Sequence, residues 1–178
     1  RIIGRGWAKR MAAQSHKSPG YQALLVFLLS LNFGIVFFDR NALNFLMPFV
    51  QPELQLSNTQ VGWIASAFSF IWAIAALGVS RVSDIIGNRK ALLVLATIAF
   101  SCCSFLTGLA STFAMLIGAR IVMGVAEGGI MPISHALITS DVEHRFRGVA
   151  QGIAQGVGSN FLGSFIAPVV LVWLAQVY

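Results

Sequence analysis

Charge is what this sequence lacks first: 10% of its 178 residues are Asp, Glu, Lys or Arg, against about 25% in an ordinary soluble domain. With 57% hydrophobic residues and a mean hydropathy of +0.79, the composition is that of an integral membrane protein. Regular alternation is missing too. The apolar runs are continuous, which argues against the dyad-repeat strands of a membrane barrel and for helices. Cysteine is confined to Cys102 and Cys103, adjacent within an apolar run, where they pack as small apolar residues rather than bridge and say nothing about redox compartment. Histidine is limited to His16, His135 and His144, in the tail or near the membrane edge. No Cys/His/Asp spacing fits a metal and no nucleophile stands with a base, so a membrane-embedded enzyme is disfavoured, and no cofactor or metal is expected. His135 is read as an interfacial helix residue.

The apolar runs have the length that crosses a hydrocarbon core of roughly 30 Å as helix. They cover Tyr21 to Val50, Thr59 to Ser80, Ala91 to Ala110, Phe113 to Leu137 and Gly148 to Val177. The expected fold is all-α, a polytopic bundle over 21–178 with about five transmembrane helices, preceded by a basic tail over 1–20. Arg1 to Arg10 precede Met11-Ala12-Ala13-Gln14, which has the form of an ordinary start, so the first ten residues are read as upstream sequence without functional weight. The first span is no cleavable signal peptide, being too long and holding Asp39 and Arg40.

Basic residues set the orientation. Arg1, Arg5, Lys9, Arg10 and Lys17 precede the first span; Arg81, Arg89 and Lys90 lie between the second and third; Arg145 and Arg147 lie between the fourth and fifth. The opposite loops hold none, so the positive-inside rule puts the N-terminus in the cytoplasm. The net charge of +6 then reflects topology and contact with anionic headgroups of the lipid bilayer, and no nucleic-acid partner is expected.

The two basic residues left over, Arg40 and Arg120, lie inside spans, as do Asp39 and Glu127. A charge at bilayer depth costs roughly 2.5–3.5 kcal/mol on insertion scales, so such residues are paired, turned inward or functional. Arg120, Gly124, Glu127 and Gly128 share one helical face, and Arg40 shares a face with Asn44. Gln151, Gln155 and Ser159 form a similar stripe on the fifth span. Three polar faces fit a common water-accessible cavity. Gly148, Gly152 and Gly156, and likewise Gly124 with Gly128, repeat every fourth residue and are read as sites of close helix approach. Pro48, Pro132 and Pro168 are read as kink positions.

Arg suits a carboxylate because its planar fork binds both oxygens. A carboxyl beside it loses its cationic partner when a substrate anion arrives and can then take a proton, which is the linkage a symporter needs. The alternative is that Asp39 and Glu127 merely neutralise Arg40 and Arg120. Asp39 and Arg40 point about 100° apart on an α-helix and Arg120 and Glu127 are two turns apart, so each charge is free to find its partner across the cavity.

Ser83-Asp84-Ile85-Ile86-Gly87-Asn88-Arg89-Lys90 resembles the loop signature of the major facilitator superfamily, G-x-x-x-D-R-x-G-R-K/R. Asp84, Gly87, Arg89 and Lys90 match; Ser80, Ile85 and Asn88 depart from it. The resemblance implies a loop that gates conformational change through charge contacts at helix ends. Asp39-Arg40-Asn41-Ala42-Leu43 resembles the D-R-x-x-L of the anion:cation symporter branch, which includes hexuronate, galactonate, glucarate and sialin-like vesicular carriers. Arg120 through Gly124, Glu127 and Pro132 resembles its R-x-x-x-G-x-x-E-x-x-x-x-P. Together these imply a proton-coupled symporter of a small organic anion, such as a sugar acid or aromatic carboxylate, in a bacterial inner membrane, with Na+ as the alternative coupling ion. Arg40 and Arg120 would bind substrate with Asn44, Gln155, Ser159 and Asn160; Asp39 and Glu127 would handle protons.

Such carriers have two six-helix halves that rock about a midplane site. The five spans here resemble the N-terminal half, so the partner expected is a C-terminal half of the same transporter, reached through a sixth span. Two alternatives stand. A drug:proton antiporter of the same superfamily would usually carry a Gly-Pro step in its fifth span, which Gly158-Ser159-Asn160-Phe161-Leu162-Gly163 lacks. A non-transporting assembly or sensor protein could be made from a transporter-like half.

Overall fold

The computed structural model describes residues 17–177. The basic residues Arg1, Arg5, Lys9 and Arg10, the start at Met11, and His16 lie outside the described residues. Among those described, all regular structure is helical and five helical segments are long and apolar enough to cross a membrane. They are α1 (Pro19–Glu53), α2 (Asn58–Ile86), α3 (Arg89–Gly108), α4 (Phe113–Asp141), and a composite fifth span. The fifth begins at α5 (Arg147–Gln155), widens into a π-helical segment over Gly156–Ile166 and closes with α6 (Ala167–Val177).

Local chemistry rather than apolarity sets the ends. Ser18 caps α1 by accepting the Tyr21 amide, with Pro19 in the first turn. Ser57 and Gln60 form a reciprocal capping box on α2, with bonds of 2.9 and 3.2 Å. Gly87 ends α2 at φ 72°, a left-handed cap that favours glycine. Asn88, which departs from the family loop signature, caps α3 by accepting the Ala91 amide at 3.3 Å. The Gly87 cap carries α2 to Ile86, past the apolar run that ends at Ser80, and α4 likewise continues past Leu137 to Asp141, where the Val142 amide donates to the Ile138 carbonyl.

Helix α4 is the axis of the bundle. Met123, Glu127, Ile130, Ile133 and Ile138 are all at most 1% exposed, whereas Leu77 of α2 is 78% exposed, in line with a lipid-facing surface. α4 packs against α2 and α3, and α1 packs against the fifth span. Cys103 is buried against Phe68, Phe100 and Met123, and Cys102 faces outward; both are free thiols. His135 is half-buried against Phe33, with ring centroids 6.0 Å apart.

The glycine contacts correct one expectation. A Cβ at Gly124 or Gly128 would lie 3.1 Å or less from α2 backbone, the close approach anticipated. Gly148, Gly152 and Gly156 instead face open space, and the fifth span meets α1 through Gly158 and Gly163, five residues apart. In α5 the packed face is that of Ala150 and Ala154 rather than of Gly148 and Gly152, and from Gly156 the π register, with hydrogen bonds from residue i to i+5, moves the contacting face away from a spacing of four.

At the basic end of the bundle, Asp141 accepts from Lys17 and, at 2.9 Å, from Tyr21 Oη, with Lys90 Nζ 3.5 Å away. Lys90 also donates to Tyr21 Oη, and both lysines sit 4.9 Å from the Tyr21 ring centroid. This knot ties the starts of α1 and α3 to the end of α4. Asp84, in the last turn of α2, has one ion pair among the described residues, an exposed one 3.2 Å from Arg89. Asp141→Asn is therefore expected to lower stability by about 1–2 kcal/mol, as loss of charge-assisted hydrogen bonds does, and Asp84→Asn by about 0.5 kcal/mol or less. Thermal melting of the two purified variants checks the difference.

Candidate substrate and coupling site

The four membrane charges meet between α1 and α4, but not in their sequence pairs. Arg40 Nη2 donates to Glu127 Oε2 at 2.6 Å, and Arg120 Nη1 lies 3.6 Å from Asp39 Oδ2. Each arginine of one helix thus faces the acid of the other. Burial of the quartet is graded: the Glu127 side chain is fully buried, and that of Arg120 nearly so, while that of Arg40 is 27% exposed. The quartet is electrically neutral, as buried charges must nearly be.

Its surroundings are aromatic on one side and hydroxylic on the other. Phe37, Phe68 and Trp72 place their ring centroids 5.2, 5.1 and 5.1 Å from the Arg40 guanidinium carbon. Cation–π contact of this kind holds a guanidinium without neutralising it. Asp39 accepts from Ser104 Oγ of α3. Among the described residues, Asp39 Oδ2, Glu127 Oε1 and the Nε atoms of both arginines have no hydrogen-bond partner and keep unused capacity.

Two cavities adjoin the quartet. One, of about 360 Å³, is lined by Arg40, Asn44, Met47, Ile64, Phe68, Ser69 and Arg120. The other, of about 330 Å³, is lined by Asp39, Glu53, Ser104, Thr107 and Arg120 among others. Both arginines and Asn44 therefore share one cavity, while Asp39 faces the other and Glu127 stands behind Arg40. The walls of the second cavity come mainly from α1, α3 and α4, and those of the first from α1, α2 and α4. That differs from the three polar faces expected of the first, fourth and fifth spans: α2 supplies the third wall, and Gln155, Ser159 and Asn160 line neither cavity. Gln155 is half-buried, Ser159 buried with its hydroxyl unpartnered among the described residues, and Asn160 exposed. The i+4 stripe that begins at Gln151 runs into the widened register at Gly156, where a 3.6-residue period no longer predicts the face.

Asp84, Gly87, Arg89 and Lys90 stand in the α2–α3 turn, away from the quartet. Lys90 is bound into the Tyr21–Asp141 knot, so its contacts lie within this bundle. Sequence reasoning did not find Phe37, Phe68, Trp72 and Ser104. The only signal was a concentration of aromatics at membrane depth, which is also what a packed core shows. Among the described residues, no group of three or more His, Cys, Asp or Glu side chains could hold a metal ion.

The sequence profile of the Major Facilitator Superfamily matches residues 29–178. The chain belongs to the Major Facilitator Superfamily. A protein of Cupriavidus necator named as a probable sulfoacetate transporter is 30% identical over 85% of this chain and 35% of its own length. The hexuronate transporter of Bacillus subtilis is 31% identical over 77% of this chain and 32% of its own. Efflux pumps also occur among the relatives. In three dimensions the chain is similar to a bacterial homologue of the human lysosomal transporter Spinster, crystallised inward-facing and occupied, with a TM-score of 0.83, 25% identity, and coverage of 90% of this chain and 34% of that one. The chain spans about a third of the length of these proteins. It is a multi-pass integral membrane protein of a transporter family, not of an enzyme family.

Proposed function

We propose that the protein is a secondary active transporter that moves a small organic anion together with protons by alternating access. The observation that carries this is the neutral, cross-paired quartet beside a cavity that both arginines line. An anion entering that cavity competes with Glu127 for Arg40 and with Asp39 for Arg120. It also brings negative charge into a site whose four charges already cancel. A proton on Glu127 or Asp39 restores neutrality, so anion and proton favour each other's binding. Arg40, Arg120 and Asn44 are the proposed substrate contacts; Gln155, Ser159 and Asn160, which lie off the cavity, are left out of that set. The Asp84–Lys90 turn is the proposed gating element, acting through its contacts at helix ends. The basic end, holding residues 81–90 and 141–147, is assigned to the cytoplasm of a bacterial inner membrane. A C-terminal half would close the site from the other side.

Reconstitution of the complete protein in liposomes tests this, with sulfoacetate and glucuronate as probes and an imposed inward proton gradient. Gradient-driven uptake is expected, with kcat/KM reduced on the order of 100-fold in Arg40→Gln, the loss typical of truncating a buried charge contact. Uptake driven by Na+ alone would overturn proton coupling. Gradient-driven export of hydrophobic cations would make the protein an antiporter, and absence of flux under every gradient would favour the non-transporting alternative.

A further inference from the structure

Residue 41 lies between the quartet and the fifth span, and its side chain does something the charges do not. Asn41 Nδ2 donates to the Gly163 carbonyl at 2.9 Å and to Ser164 Oγ at 3.4 Å. Ser164 Oγ in turn donates to the Ser159 carbonyl at 3.1 Å. Gly163 is within the π-helical segment Gly156–Ile166. In a register of i to i+5, the amide that should serve the Gly163 carbonyl belongs to residue 168. That residue is proline and has no N–H. Inside a membrane a freed carbonyl must find a donor within the protein, and Asn41 is that donor.

The contact also fixes how α1 and the fifth span meet. Gly163 stands directly against Phe37: a Cβ there would collide with the Phe37 Cβ and lie 3.1 Å from its carbonyl carbon. The Phe37 ring is one of the three against the Arg40 guanidinium. One turn of α1 thus carries Phe37, Arg40 and Asn41, with the first and last bound to the same glycine.

We propose that Asn41 is a positioning residue: by satisfying the carbonyl that Pro168 leaves free, it holds the widened register of the fifth span against α1 and so seats Phe37 on Arg40. Its effect on transport rests on the anion reading of the site; its effect on helix register does not.

A double-mutant cycle on the complete protein decides between these. Asn41→Ala is expected to lower the melting temperature by about 5 °C. Pro168→Ala restores an N–H, so in that background Asn41→Ala should lower it by less than about 2 °C. The KM for glucuronate or sulfoacetate, whichever the wild type takes up, should rise about 5-fold in Asn41→Ala at little change in turnover and return to normal in the double variant. Equal losses in both backgrounds would overturn the role of the freed carbonyl. A melting cycle that couples with an unmoved KM would overturn the seating of Arg40. If the wild type takes up neither anion, the transport reading fails while the melting cycle still decides the register. Should Pro168→Ala not fold, Asn41→Asp serves instead: a carboxylate facing a carbonyl should melt below Asn41→Ala, and melting at or above it would overturn the proposal.

Discussion

Arg40→Leu is expected to destabilise the bundle by about 3–5 kcal/mol, because it leaves the fully buried Glu127 carboxylate without its 2.6 Å partner. Adding Glu127→Leu should recover most of the loss, since replacing a whole buried pair by apolar residues is often near neutral whereas breaking one is not. Arg120→Leu with Asp39→Leu should behave likewise, less strongly because that pair stands 3.6 Å apart. Arg40→Leu with Asp39→Leu, neighbours in sequence, should show no such rescue. The crossed cycles should therefore yield coupling energies of about 2 kcal/mol or more and the same-helix cycles well under 1 kcal/mol. Denaturant unfolding of single and double variants in detergent measures all of them. Strong coupling within the same-helix pairs would mean that the crossed arrangement is not the one the protein uses.

The size of that coupling bears on the proposed mechanism. An anion that displaces Glu127 from Arg40 must replace an interaction of similar strength, so its gain is the difference between the two. Protonating the displaced acid removes the remaining penalty of a stranded charge. Two crossed pairs rather than two local ones also mean that a change in either pair alters the contact between α1 and α4. Charge state and helix packing are thereby linked within one half of the fold.

The spans could be read from the sequence because twenty consecutive apolar residues have few other uses. Helix ends were less legible. Ser57 with Gln60 and Asn88 carry capping signals, yet the boundaries at Ser80 and Leu137 followed hydropathy, which stops before the helix does. The four charges announced themselves by their cost in a membrane, and helix geometry already allowed the crossed pairing; which acid meets which arginine depends on how α1 and α4 pack. The π-helical segment was the main miss. Its traces are Gly158 and Gly163, five residues apart, and a proline five residues after the second, a pattern that resembles ordinary glycine-rich packing. Asp141 is 124 residues from Lys17 and 120 from Tyr21 and joins them only at the bundle's end, so nothing local marked the knot.

Gly128→Ala is expected to cost about 3 kcal/mol, the upper end for forcing one methyl into a packed interior. A Cβ at that position would lie 2.7 Å from the Trp72 carbonyl oxygen, 2.7 Å from the Ala75 Cβ and 2.9 Å from the Ala76 amide nitrogen. None of these is the end of a flexible side chain, so relief requires α2 to move away from α4. Gly152→Ala serves as the control, since nothing lies within 4 Å of its added carbon. That variant should be neutral or stabilised by up to about 1 kcal/mol through helix propensity. The displaced helix carries Phe68 and Trp72, two of the three rings on Arg40, so under the proposed anion transport Gly128→Ala should also weaken uptake at temperatures where the protein remains folded. Melting and uptake measured on the same preparations separate the two effects. A Gly128→Ala protein as stable as wild type would show that α2 and α4 do not approach as closely as this glycine requires. One that is destabilised but transports normally would show that the α2 rings do not set the working position of Arg40.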